Sequence, residues 1–179
     1  MVSEPMIVSK GENVTLDLAG KTVTFTPANG KVDMVKVEEG TLEIKSSVSG
    51  GKLLLMGGTS IGADGESAKI TLQSGTVESA EQDYDNERYG YGIAAYNGAT
   101  LVVNGGEVIS QNAALSGNNT KGNMNFEVNG GTLTAKYGPA IYMPGQVKLT
   151  ITGGVLNGGI SLRMGQVDIS GGTINAMTD

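Results

Sequence analysis

Val128-Asn129-Gly130-Gly131-Thr132-Leu133, Ile151-Thr152-Gly153-Gly154-Val155-Leu156 and Ile169-Ser170-Gly171-Gly172-Thr173-Ile174 are one unit written three times. Each joins a short alternating strand to a second one through a polar residue and two glycines. The alternation is clear upstream of each turn, in Asn125-Phe126-Glu127-Val128, Lys148-Leu149-Thr150-Ile151 and Gln166-Val167-Asp168-Ile169. Every second residue is apolar, which is the period of a strand with one buried face. The double glycine fits a tight turn, because glycine adopts positive φ at low steric cost.

Working outward, the second glycine of the unit serves as a ruler. Anchors at Gly20, Gly51, Gly75, Gly106, Gly131, Gly154 and Gly172 are separated by 31, 24, 31, 25, 23 and 18 residues. A period of this size with occasional insertions marks a solenoid, in which each unit stacks on the last. Helical repeats are longer and lack strand alternation, and the leucine-rich-repeat frame is missing. Further strands upstream of each turn are expected at Val32 to Val37, Tyr91 to Tyr96, Asn112 to Leu115, Pro139 to Tyr142 and Gly159 to Leu162. The expectation is therefore an all-β fold, a single-stranded right-handed parallel β-helix of about seven coils, with three strands per coil. Stacked at about 4.8 Å per coil it forms a rod on the order of 35 Å tall. One domain spans residues 1–179, and residues 79–91 leave it as a loop.

Composition agrees. Glycine contributes 29 of 179 residues while 39% remain hydrophobic, a combination unlike disorder. The chain has no cysteine and no histidine. That excludes disulfide frameworks, Cys/His metal sites and histidine-based catalysis. With a net charge of −6 and 12 scattered Lys and Arg, no basic footprint for nucleic acid exists. No stretch approaches the roughly 20 apolar residues of a membrane span, and Met1 to Lys10 lacks a signal-peptide core. For a complete chain this predicts synthesis in a cytoplasm without conventional export. For a piece excised from a longer protein the prediction lapses.

The segment Asn13-Val14-Thr15-Leu16-Asp17-Leu18-Ala19-Gly20 resembles the opening coil of right-handed parallel β-helices of the pectate-lyase-like class. Tyr137-Gly138-Pro139-Ala140-Ile141-Tyr142 followed by Lys148 to Gly154 is similar to repeats of adhesin-like surface proteins of gut bacteria and of β-helical phage appendages. The resemblance implies the fold and leaves function open among lyases, adhesins and virion parts, since one fold hosts many activities.

Five features bear on function. Asn104, Asn129, Thr152 and Ser170 precede the double glycines and should stack as a coil-to-coil structural ladder. Asp17, Glu43, Glu127 and Asp168 lie on the strand before the turn, but uncharged coils separate them except between Asp17 and Glu43, and no Arg matches them. Paired carboxylates for glycoside hydrolysis would need to sit about 5–9 Å apart, so no catalytic residue is assigned. The loop around Asp83, Tyr84, Asp85, Glu87, Arg88 and Tyr89 alternates acidic oxygens. Asp83, Asp85 and Glu87 are weak candidates for a Ca²⁺ ion, without the EF-hand pattern or the β-helix calcium repeat. Alternation then predicts that Tyr96, Ser116, Tyr142 and Arg163 point outward in one column on successive coils. With Tyr84, Arg88, Tyr89 and Tyr91 they would form a surface for a glycan or a protein partner. Finally, the strand at Thr173 to Ala176 has no cap, which predicts a partner there.

These features lead to a non-enzymatic structural or recognition module without a cofactor, displayed on a particle surface. A phage virion decoration, head-fibre or tail-appendage role is the first expectation, made in the host cytoplasm. The expected partners are further copies of the chain (a trimer, from the resemblance) or a larger assembly, with a glycan as ligand and neither nucleic acid nor membrane. The alternatives are a domain excised from a bacterial cell-surface adhesin, and a polysaccharide lyase or hydrolase.

Overall fold

The computed structural model describes residues 2–27, 33–82, 85, 89–117 and 122–176. The strands fall into successive coils. The first coil is β1 (Met6–Val8), β2 (Asn13–Asp17) and β3 (Thr22–Phe25), and the second is β4 (Val35–Glu38), β5 (Thr41–Lys45) and β6 (Lys52–Leu55). The third is β7 (Ile61–Asp64), β8 (Lys69–Leu72) and β9 (Thr76–Ser79). The fourth is β10 (Ile93–Tyr96), β11 (Thr100–Val103) and β12 (Glu107–Ser110), and the fifth is β13 (Leu115–Gly117), β14 (Met124–Val128) and β15 (Thr132–Ala135). The sixth is β16 (Ile141–Ile151) and β17 (Val155–Asn157), and the seventh is β18 (Ile160–Ile169) and β19 (Thr173–Asn175).

All these strands pair in parallel with their counterparts one coil away, as in β4 with β7 and β11 with β14. The third strands form a seven-stranded sheet in the order β19-β17-β15-β12-β9-β6-β3, one strand per coil. The first and second strands form two faces that merge into one sheet, because β16 and β18 each run through both. A register shift between Met143 and Gln146 marks that merger. In the lower coils the same corner is turned through residues of positive φ, among them Glu39, Gly65, Asn97 and Asn123. The chain is thus an all-β, right-handed parallel β-helix of seven coils.

The core is a set of inward columns. On the second face, Leu42, Ile70, Leu101, Phe126 and Leu149 are successive register partners and all are buried. On the third, Leu53, Val77, Val108, Leu133 and Leu156 repeat the pattern. Burying each such side chain contributes about 1.5–3 kcal/mol relative to exposure. Identical rows stack because a parallel register places like position on like position.

The turn glycines have a specific reason. Gly106 has φ +76°, and a Cβ there would meet the Gly75 carbonyl oxygen at 2.5 Å. Gly131 repeats the arrangement on Gly106. Coil spacing at the turn therefore leaves no room for a side chain. The ruler needs one correction. Thr22 pairs with Lys52, so Gly20 aligns with Gly50, and Gly51 aligns with Lys21. Gly51 itself stays in line with Gly75, so the anchor out of line is Gly20 of the first coil, which Lys21 separates from β3. Strand limits also differ from expectation. The strand expected at Asn112 to Leu115 is Leu115–Gly117, and β4 begins at Val35. The strand Ile61–Asp64 carries no expectation at all, since Gly62 and Ala63 interrupt a β-rich pattern.

Candidate functional site: an outward face with tyrosines at one end and carboxylates at the other

On the first face, Ile61, Ile93, Leu115 and Ile141 point inward in register. The neighbouring outward row is Lys36, Gly62, Ala94, Ser116, Tyr142 and Ser161. Two residues further on, Glu38, Asp64 and Tyr96 form a second outward row. The expected single column of Tyr96, Ser116, Tyr142 and Arg163 is therefore two rows. Ser116 and Tyr142 belong to the first, while Tyr96 belongs to the second and Arg163 lies two residues beyond Ser161. The ends of these strands differ by two residues from coil to coil, which preserves the face but changes the row.

The middle of the first row is small. Gly62, Ala94 and Ser116 are buried although they face outward, so larger neighbours lie over them. Ser116 Oγ is buried and has no hydrogen-bond partner among the described residues. A Cβ on Gly62 would meet Asp33 Oδ2 at 2.4 Å. The absence of a side chain at Gly62 is what lets the Asp33 carboxyl lie against the sheet.

At the upper end of this face the tyrosines meet. The rings of Tyr89 and Tyr91 are 5.8 Å apart, those of Tyr91 and Tyr142 are 6.5 Å apart and nearly parallel, and the Arg163 guanidinium sits 6.0 Å from the Tyr142 ring. These are the separations of offset aromatic pairs and of a cation–π contact. The ribbon is assembled from three coils. Tyr89 and Tyr91 flank Gly90, whose N–H donates to the Gly58 carbonyl and whose carbonyl accepts from Gln111 N–H. This fixes the end of the insertion at the corner between the third and first faces. Tyr137, given no role by sequence, sits two coils above at the same corner through Tyr137 N–H to the Gln111 carbonyl. The residue is 57% exposed, and its ring carries the Lys136 ammonium 4.7 Å from its centre. Asp83, Tyr84, Glu87 and Arg88 lie outside the described residues, and Asp85 is exposed. No group of three or more metal-ligating side chains occurs among the described residues.

At the lower end the face is acidic. Asp33, Lys36, Glu38, Gly62, Asp64 and Tyr96 line a cleft of about 250 Å³. Ser60 Oγ donates to Asp33 Oδ1 at 2.5 Å. Burial pushes the Asp33 carboxyl above the usual carboxylate range. The Ser60 hydrogen bond and the charge of Lys36 oppose that rise, and the Asp64 charge adds to it. Burial likewise raises the Tyr96 hydroxyl, with help from Asp33, Tyr91 and Asp64. Tyr96 thus belongs to the acidic cleft and lies close enough to Tyr91 to feel its charge. Asp64 and Glu38 also border a larger groove of about 990 Å³ with Lys10, Glu39, Glu66 and Asn97, in which Lys10 pairs with Glu39. In the strand expected at Val32 to Val37, Asp33 has the parity of the inward residues Val35 and Val37, so alternation does not mark it as a surface group; β4 in fact begins only at Val35.

The remaining sequence candidates are elsewhere. Asn104 Nδ2 donates to Gln73 Oε1 at 3.1 Å, Asn129 Nδ2 to Asn104 Oδ1 at 2.9 Å, and Thr152 Oγ1 to Asn129 Oδ1 at 2.8 Å. Ser170 occupies the next turn, held there by its N–H on the Ile151 carbonyl. A second ladder on the third face runs from Asn175 through Asn157 to Thr134. Glu43, Glu127 and Asp168 share an outward row of the second face, but Thr71, Val102 and Thr150 intervene. Asp17 is not in that row. Its Oδ1 accepts from Ser47 and Ala19 N–H at 2.9 Å each, and these bonds, led by that from Ser47, lower its pKa. It acts as a turn cap.

Compared with known proteins, the chain matches no family model, no curated protein and no solved structure. Its fold is legible from strand pairing alone, and its function has to be argued from the face just described.

Proposed function

We propose that this chain is a non-enzymatic recognition rod that presents the first face to a surface glycan. One observation carries the reading: Tyr89, Tyr91, Tyr142 and Arg163 form a continuous stack on the outside of a rigid solenoid. Aromatic rings offer flat apolar surface to the C–H faces of sugars at little conformational cost, since each has only two side-chain torsions. Tyr142 and Arg163 stand on stacked strands, and Tyr89 and Tyr91 on a corner pinned through Gly90 to the neighbouring coils; this holds their spacing, and preorganisation of this kind lowers the entropy lost on binding. Display on a particle, as a virion decoration or appendage, is the setting that the resemblance to phage β-helices suggests. An adhesin domain would use the same face in the same way.

The test is a glycan array probed with the purified protein and with Tyr142→Ala. Binding of at least one glycan class that is lost in the variant supports the reading. An empty array for the unaltered protein overturns it. Mass spectrometry of purified virions from the source addresses the setting separately.

The cleft at Asp33 favours a second reading, polysaccharide hydrolysis or lysis. A carboxyl whose pKa is raised by burial beside another carboxylate is the kind of arrangement that proton transfer to a glycosidic oxygen uses. Reducing ends or unsaturated products released from a polysaccharide panel, and lost in Asp33→Ala, would establish it against the first.

A further inference from the structure

We propose that the Arg163 end of the tyrosine ribbon is a subsite for the carboxylate of a terminal acidic sugar. This rests on the reading of the face as glycan-binding and adds to it the charge and the orientation of the ligand. The Arg163 side chain is exposed and contacts the Tyr142 ring. The ion pairs of the described residues, Lys10 with Glu39 and Lys52 with Glu78, lie in the lower coils, and no described carboxylate pairs with Arg163. A guanidinium engaged by an aromatic ring still presents its in-plane N–H fork, whose geometry matches a carboxylate. Lys136, held over Tyr137 at the neighbouring corner, adds a second cation to the same end.

The other end of the face sets the orientation. Glu38, Asp64 and Asp33 lie below Tyr96, about four to five coils or roughly 19–24 Å from Arg163 at the coil spacing of a parallel sheet. That is beyond a Debye length of about 8 Å at physiological salt, so the carboxylates do not weaken the Arg163 subsite. They do repel any further anionic residue laid along the ribbon. A uniform polyanion is therefore disfavoured, and a chain with its acidic residue at Arg163 and neutral residues toward Tyr91 is favoured.

The experiment is titration calorimetry of the full 179-residue protein with sialyllactose, with lactose as its neutral counterpart, and with oligosialic acid as a uniform polyanion. The expected result is that sialyllactose binds at least tenfold more tightly than lactose and more tightly than oligosialic acid. Arg163→Gln should abolish the preference, Arg163→Lys should retain part of it, and circular dichroism should show both variants folded. Raising salt from 50 to 500 mM should weaken sialyllactose and leave lactose unchanged. If both neutral and acidic sugars bind equally and both are lost in Tyr142→Ala, the acidic subsite is wrong while the glycan face stands. An unchanged sialyllactose affinity in Arg163→Gln also overturns the subsite. If none of the three sugars binds and the glycan array is empty as well, the glycan face itself is wrong and the subsite falls with it.

Discussion

Gly106 and Gly11 both have positive φ, at +76° and +79°, but they differ in their surroundings. A Cβ on Gly11 meets nothing within 4 Å, whereas one on Gly106 meets a backbone oxygen of the coil below. Gly11→Ala should therefore cost only the left-handed backbone term, about 1–2 kcal/mol. Gly106→Ala should cost clearly more, because the backbone it strikes cannot rotate away. Urea denaturation of the two variants measures the difference, and equal losses would show that the turn is not close-packed. Asp33 offers a pH test. Its folded pKa is raised, so the folded state binds more protons than the unfolded one between the two values, and stability falls as pH rises through that window. Above it the buried charge is a standing penalty. Asp33→Asn should raise the melting temperature at pH 7 and change it little at pH 3. Asp17 has the opposite sign. Its lowered pKa stabilises the fold above the unfolded carboxylate value, and that stabilisation is lost as pH falls below it.

Elements of this fold are stabilised less by their own strands than by what repeats between coils. Asn129 accepts from Thr152 and donates to Asn104, so Asn129→Ala removes two bonds of an exposed ladder. A loss of roughly 1–3 kcal/mol is expected, at about 0.5–1.5 kcal/mol per bond. Phe126 is the largest fully buried side chain, and it sits mid-column between Leu101 and Leu149. Phe126→Ala should cost about 3–5 kcal/mol, measured by the same denaturation. A ladder variant that costs as much as the core variant would mean that turn hydrogen bonds, rather than apolar columns, hold the coils together.

Across the whole molecule, protection should follow coil position. The central coils have paired strands on both sides, while β18 and β19 pair on one side only and leave Leu162, Met164, Ile169 and Ile174 exposed. Repeat proteins open from such ends, because each unit is stabilised chiefly by its neighbours. Hydrogen exchange of the 179-residue chain should show amides of β18 and β19 exchanging faster than those of β11 and β12. Uniform protection along the rod would argue for a fully cooperative unit or a covered end. The first face is also polarised along the rod, with carboxylates in the lower coils and Arg163 and Lys136 in the upper ones. That arrangement gives a ligand a direction as well as a place.

The period of the Gly-Gly units determined the fold class, the seven coils and the buried columns. A side-chain period of two and a fixed stacking distance leave one arrangement that buries every apolar row. Sequence also singled out Tyr89, Tyr91, Tyr142 and Arg163, because large aromatic and cationic residues are rare here and fall at outward positions. It could not place them in rows. Row assignment depends on where each strand begins, and the corners between the first and second faces vary from a positive-φ turn in the lower coils to the straight run of β16. Nor could it find Asp33. A carboxyl just ahead of β4 becomes part of the face only because Gly62, one coil above, leaves the space it occupies.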